Sequence, residues 1–319
     1  MEVQTINDKE NENMDMTARR EELYALLGRL PAKDAPVTCR TVEIVEKEDY
    51  ILEKLILTIH AEEGSPRVEP IPAYFTRPKG MEKYPAVLFS HSHGGFYEKG
   101  KDELISPNPY MYKPGYAGML AKRGIAALAI DHWCFGERSG RQELSCFKEM
   151  LWRGEVMWGR MVYDSLKALD YLCAREDVIA DRVGALGMSM GSTMSWWVAA
   201  LDERIKVCVD IHCLTDYDAI VEEDGLDRHG IYYFVPDLLN HFTSAQINSL
   251  IAPRAHLSTV GLYDGLTPMR GVDKIEKELK KVYTEIGAPE NVTVLRFPLG
   301  HRETAEMRVD ILNYLSERL

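Results

Sequence analysis

The chain has 319 residues, 45% of them hydrophobic and 28% charged, and carries a formal net charge of −12 at pH 7. That length and apolar content suit an α/β enzyme with a sizeable core, and the acidic balance excludes the basic face that a nucleic acid or an anionic membrane surface would require. No apolar run approaches the roughly 18 residues of a membrane span, and the polar, acidic start Met1–Asp15 lacks the apolar stretch of a secretory signal.

Residues 1–35 read as a mobile tail (1–15) and a short amphipathic helix over Thr17–Leu27, with Leu23, Leu26 and Leu27 on its apolar side and Gly28 and Pro31 closing it. The remainder, 36–319, reads as one domain. It opens with strands at Val37–Val45 and Tyr50–Ile59, antiparallel and joined near Glu48 and Asp49, and Ile71–Thr76 continues the meander. After Pro85 the pattern changes. Ala86–Ser90 is continuously apolar, as expected of a strand covered on both faces. Similar runs recur at Ile125–Ile130, Val183–Leu186, Val207–Ile211, His256–Val260 and Val292–Phe297. Helical patterns lie among them at Tyr116–Lys122, Arg160–Ala174, Ser192–Leu201, Val272–Ile286 and Thr304–Leu319. The alternation predicts a mostly parallel twisted sheet with antiparallel N-terminal strands and helices on both faces. Phe135–Gly159 and Leu214–Leu250 break it; they read as inserts over the carboxyl ends of the strands, forming pocket walls or a partial lid. The six cysteines have neither metal-type nor disulfide-framework spacing, and Cys173 and Cys208 read as buried, reduced thiols, so a cytoplasmic location is expected.

Chemistry concentrates where runs end. Gly187-Met188-Ser189-Met190-Gly191 stands between a strand and a helix, the setting of a nucleophile elbow. A serine hydroxyl needs an adjacent base, itself oriented by an acid. In the chain order Ser, acid, His, the acid expected after a late strand is Asp264 and the histidine after the last strand is His301. Asp210 ranks second as the acid, and Asp131 reads as a loop-holding residue. Acyl transfer also needs donors for a developing oxyanion. These are assigned to the backbone N–H groups of Met190 and His93, with Gly94 as the alternative in the loop His91-Ser92-His93-Gly94-Gly95-Phe96. Gly94, Trp133, Tyr232 and Tyr233 are candidate substrate contacts. His91 reads as a loop support; His91-x-His93 has no third ligand at sensible spacing, so no metal is expected.

These pieces resemble the α/β-hydrolase superfamily, in the branch of dienelactone-hydrolase-like and acetyl-xylan-esterase-like proteins. The matching stretches are His91–Gly95, Asp131–Arg138, Gly187–Gly191, Ala252–Arg254, Gly261–Pro268 and Gly300-His301, which run from about residue 80 to the C-terminus. The resemblance implies a Ser189–His301–Asp264 triad, oxyanion donors at His93 and Met190, and no cofactor. It further implies hydrolysis of a small carboxylic ester through an acyl-enzyme. A peptidase or amidase, a thioesterase, and a weakly hydrolytic ligand-binding receptor remain open on the same fold. The chain departs from dienelactone hydrolases proper, whose nucleophile is Cys, and has Ser92 where many relatives have Gly.

Overall fold

Hydrophobic strands that alternate with helices should stack into a sheet covered on both sides, and the computed structural model, which describes residues 16–319, has this layout. Three strands open the sheet as an antiparallel meander: β1 (Val37–Glu46), β2 (Ile51–Ile59) and β3 (Ile71–Arg77). Six more follow: β4 (Tyr84–Ser90), β5 (Ala126–Ile130), β6 (Val178–Met188), β7 (Ile205–Ile211), β8 (Ala255–Gly261) and β9 (Val292–Phe297). The spatial order is β1-β2-β3-β5-β4-β6-β7-β8-β9; β3 pairs antiparallel with β5, and every pairing from β5 to β9 is parallel. This is the α/β-hydrolase fold.

The helices, in chain order, are α1 (described over residues 16–25), α2 (Tyr116–Ala121), α3 (Glu143–Trp152), α4 (Met157–Ala174) and α5 (Met190–Leu201). After them come α6 (Tyr217–Glu222), α7 (Leu238–His241), α8 (Ser244–Ser249), α9 (Met269–Glu285) and α10 (Ala305–Arg318). None of the described helices is long and apolar enough to cross a membrane. The expected tail at 1–15 lies outside the described residues.

Strand β4 shows why the sheet is central. Its side chains alternate between faces, and all seven residues are buried. Ala86 and Leu88 join the cluster of Met161, Leu169 and Trp197 under α4 and α5, whereas Val87 and Phe89 join that of Tyr116, Leu120, Ile311 and Leu315 under α2 and α10. Each fully buried Leu or Phe contributes about 1.5–3 kcal/mol relative to an exposed one.

The insert at 135–159 holds α3 and the first residues of α4. One expectation needs correction. Cys173 is half-buried rather than enclosed, while Cys208 is buried; all six cysteines are free thiols. The stretch 214–250 does break the alternation, as short helical turns packed against α3, α4, α5 and α9.

Because β4, β6, β7, β8 and β9 are successive parallel neighbours, their carboxyl ends lie side by side. The loops that leave Ser90, Met188, Ile211, Gly261 and Phe297 therefore emerge on one rim of the sheet.

Candidate active site

The turn after β6 is set by its glycines. A Cβ at Gly187 would overlap the Gly191 carbonyl, and one at Gly191 would overlap the Ser90 carbonyl on the neighbouring strand. Between them Ser189 takes φ 60° and ψ −118°, a sparsely populated conformation for a residue with a side chain. Its backbone is held by Ser189 N–H donating to Ile211 O (2.9 Å) and by Thr193 N–H donating to Ser189 O (3.1 Å). The Ser189 side chain faces a cleft of about 320 Å³ that His93, Gly94, Tyr110, Met190, Tyr232, Tyr233 and His301 also line.

Asp264 and His301 meet as the sequence predicts: His301 Nδ1 lies 2.7 Å from Asp264 Oδ2. A carboxylate can only accept there, so Nδ1 carries a proton and Nε2 is the ring nitrogen left over. Burial alone would raise the Asp264 carboxyl, but the close histidines His212 and His301 hold it well below the usual carboxylate range. The His301 loop is fixed from behind. Glu303 is fully paired with Arg308 of α10 (2.6 Å) and accepts from Tyr116 of α2, and its own N–H donates to Tyr110 O (2.8 Å). Among the described residues no hydrogen bond joins Ser189 Oγ to His301, a gap common before substrate binds.

Asp210 takes no part in this contact. It is fully buried between His256 Nε2 and Ser258 Oγ, both at 2.7 Å. Asp131 accepts from the Lys101 ammonium (2.7 Å) and from the Glu137 N–H (3.0 Å), so it ties two loops together.

His212, which sequence reasoning missed, stands beside Asp264. It follows β7 at φ 69° and is fully buried. Its Nε2–H donates to Arg302 O (2.7 Å), next to His301, while Nδ1 lies 3.3 Å from Asp264 Oδ2, close but off hydrogen-bond angle. The position carried a signal, since a histidine one residue beyond an apolar run satisfies the rule that finds Asp264 and His301. His212, Asp264 and His301 also form the group whose donor atoms converge within 4.8 Å, as metal ligands would. The 2.7 Å His301–Asp264 contact is the length of a charge-assisted hydrogen bond, and His212 Nε2 is committed to a carbonyl.

The glycine loop after β4 is braced rather than free. Ser92 donates both its N–H (2.9 Å) and its hydroxyl to the fully buried Glu103, and Asn108 Nδ2 donates to Glu103 and to Tyr110 Oη (3.0 Å). Gly94 has φ +50°, and a Cβ there would overlap the Tyr110 ring. The His93 ring accepts from Gly95 N–H and donates to Glu143 of α3, both at 3.1 Å, and stacks on Tyr232 at 5.2 Å. Among the described residues neither the His93 nor the Met190 N–H reaches a protein acceptor. His91 supports the loop: it is buried, accepts from His132 N–H (3.2 Å), and burial pushes its ring down to about 4.

Glu103 makes a pH prediction. Burial pushes its carboxyl up to about 7, against the hydrogen bonds from Ser92 and Asn108. The folded protein then binds a proton that the unfolded chain has released. This stabilisation is fully present below the unfolded value of about 4.3 and is lost as pH rises through about 7. In urea unfolding, the stability of the wild type relative to Glu103→Gln is expected to fall by about 2 kcal/mol between about pH 5 and about pH 8. A difference that stays constant would show that Glu103 does not titrate in that window.

The predicted substrate contacts divide. Gly94, Tyr232 and Tyr233 line the Ser189 cleft, but Trp133 does not. Trp133 is buried beneath Arg138 (4.4 Å) and Arg160 (5.3 Å) and lines a different cleft. A loop at a strand end can turn its aromatic to either side, and this one turns away. Tyr110, Cys213, Arg228 and His229 also line the Ser189 cleft, contributed by irregular segments with no periodic signal.

Comparisons with known proteins agree with this architecture. A Bacillus subtilis (strain 168) protein named "Putative hydrolase YtaP" is 50% identical over 302 residues, covering 94% of this chain and 99% of that one. Among solved structures, the acetyl xylan esterase from Paenibacillus sp. R4 superposes with a TM-score of 0.64 at 18% identity, over 96% of this chain and 95% of that one. A glucuronoyl esterase from Solibacter usitatus gives a TM-score of 0.65 at 14% identity, over 94% and 91%. Residues 71–286 match the model of the dienelactone hydrolase family. The chain belongs to the dienelactone hydrolase family.

Proposed function

We propose that the protein is a serine esterase that cleaves small carboxylic esters through a covalent acyl-enzyme. The observation that carries this reading is the 2.7 Å His301–Asp264 hydrogen bond on the rim of the cleft that Ser189 enters. Ser189 Oγ attacks the ester carbonyl as His301 Nε2 takes its proton. Asp264 holds the ring in the Nδ1–H tautomer and stabilises the imidazolium that forms. The N–H groups of Met190 and His93 receive the oxyanion, each contributing roughly 3–4 kcal/mol to the barrier reduction. His301 then protonates the leaving alcohol, and water repeats the sequence on the acyl group. Esterase names among the structural neighbours, together with family membership, favour an ester over an amide. The cleft of about 320 Å³ suits a small acyl group. The test is covalent labelling: a fluorophosphonate is expected to modify Ser189 stoichiometrically and abolish aryl acetate hydrolysis. Full activity after complete labelling, or labelling elsewhere, would reject the reading.

His212 enters this mechanism as a positioning residue, because it packs against Asp264 while tying down the Arg302 carbonyl beside His301. Replacing His212 by Phe leaves Arg302 O unpaired and sets an apolar ring against a carboxylate. The expected result is a fall in kcat of roughly 10–100-fold with KM nearly unchanged. His212→Gln keeps a donor for Arg302 O and is expected to recover most of the loss. If both variants match the wild type in kcat and in pH profile, His212 is merely packed there.

A further inference from the structure

At the C-terminal end of α3 lies a second cleft of about 710 Å³, which shares no lining residue with the Ser189 cleft. Glu143, in the first turn of α3, bonds His93 at the catalytic rim, whereas Trp152 ends the same helix in the second cleft. At about 1.5 Å per residue the two ends are roughly 14 Å apart.

The chemistry of this cleft runs against that of the whole chain. In a protein of net charge −12, its lining presents Arg29, Arg67, Arg141 and Arg153 against Glu149 and Glu155. One carboxylate, Glu149, serves both Arg141 (2.5 Å) and Arg153 (3.0 Å), and Arg67 pairs with Glu69 behind the lining (2.6 Å). The wall behind is richer still in unused donors. Trp133, only 4% exposed, has no acceptor for its indole N–H. Two guanidiniums cover its ring, and both hold back unpaired nitrogens: Nε and Nη2 of Arg138, Nε and Nη1 of Arg160. Glu69 and Glu155 approach these at 3.7 and 3.6 Å, near enough to attract but beyond hydrogen-bond reach. Buried donors are ordinarily satisfied; Arg138 and Arg160 stand behind the lining, and Trp133, which does line the cleft, offers it an indole N–H with no acceptor. At the mouth, Trp152 is 93% exposed, a large apolar ring that the fold itself does not use.

We propose that this cleft is a second ligand site, which binds a molecule carrying a carboxylate or phosphate group and a ring. The anionic oxygens meet the arginines and the Trp133 N–H through charge-assisted hydrogen bonds, and the ring stacks on Trp152. The site stands independently of the serine esterase reading, because it shares no residue with the Ser189 cleft.

Titration calorimetry on the full chain tests it with phenyl phosphate, benzoate, inorganic phosphate and phenol as probes. Phenyl phosphate or benzoate is expected to bind with a dissociation constant at or below about 1 mM, and the tighter of the two names the anionic group. The Arg141→Ala/Arg153→Ala double variant, altered only at exposed side chains, is expected to weaken binding at least about tenfold, and Arg67→Ala to act in the same direction. Trp152→Ala is expected to weaken phenyl phosphate while leaving inorganic phosphate unchanged. The proposal is overturned if neither ring anion binds by about 10 mM. It also fails if the arginine variants bind as the wild type does, or if phenol binds as tightly as its phosphate ester.

Discussion

Ser189→Ala is expected to lower turnover of a simple aryl acetate by at least about 10⁴-fold while the fold stays intact. The substitution removes one oxygen and nothing that shapes the turn. The sharpness of the elbow comes from Gly187 and Gly191, whose missing Cβ atoms let the chain pass the Ser90 carbonyl. The backbone bonds of residue 189 to Ile211 and Thr193 survive in alanine. Thermal unfolding within a degree or two of the wild type would therefore accompany the loss of activity, which separates a chemical defect from a folding one. No neighbouring group can take over the attack. Cys213 lines the same cleft, but burial pushes its thiol up to about 12, so the nucleophilic thiolate is not formed at neutral pH. The amides of Met190 and His93 remain and leave a small residual rate. Retention of more than a few per cent of activity by pure variant would remove Ser189 from the mechanism.

The legibility of this site in the sequence follows from where its residues sit. Ser189, Asp264 and His301 each stand a few residues beyond an apolar run, and a parallel sheet delivers every such position to the same rim. Order along the chain then restricts their roles. His212 obeys the same rule, yet a histidine at a strand end serves equally as base, loop anchor or partner of an acid, and only coordinates show it behind Asp264. Trp133 marks the complementary limit. A strand end specifies which rim a residue reaches, but not toward which side its ring turns, and two arginines draw this one away from the Ser189 cleft. Glu103 and Tyr110 lie between β4 and α2, in a short 3-10 turn and the loop after it, where an acid reads as surface; burial against Ser92 is a tertiary fact. Helix α3 escaped notice because its buried Cys146 and Met150 are masked by Leu144, Leu151 and Trp152, apolar residues that point to solvent. Periodicity fails wherever apolar side chains serve something other than the core.

Asp264→Asn is expected to reduce turnover by roughly 10³–10⁴-fold at neutral pH, and it decides which carboxylate orients the base. An asparagine can turn its amide nitrogen toward His301 Nδ1. That forces the ring proton onto Nε2, where it blocks acceptance of the serine proton. The pH profile provides an independent arm. In the wild type, the histidines beside Asp264 hold its carboxyl well below the usual range despite burial, so it stays ionised across any practical assay pH. Its stabilising contribution is present above the unfolded carboxyl value of about 3.9 and is lost only as pH falls through the depressed folded value. The acid limb of activity should therefore show the loss of a single proton, from the base alone, with the rate rising toward neutral pH. A limb that requires two protons would mean that the acid titrates with the base and that the contact to His301 is weaker in solution. Asp210→Asn is the control, since Asp210 is spent on His256 and Ser258. Removing its charge should cost stability and leave the shape of the profile unchanged. If the reverse were found, with Asp210→Asn distorting the profile and Asp264→Asn leaving it intact, the orienting acid would lie on β7 and the triad would have to be redrawn.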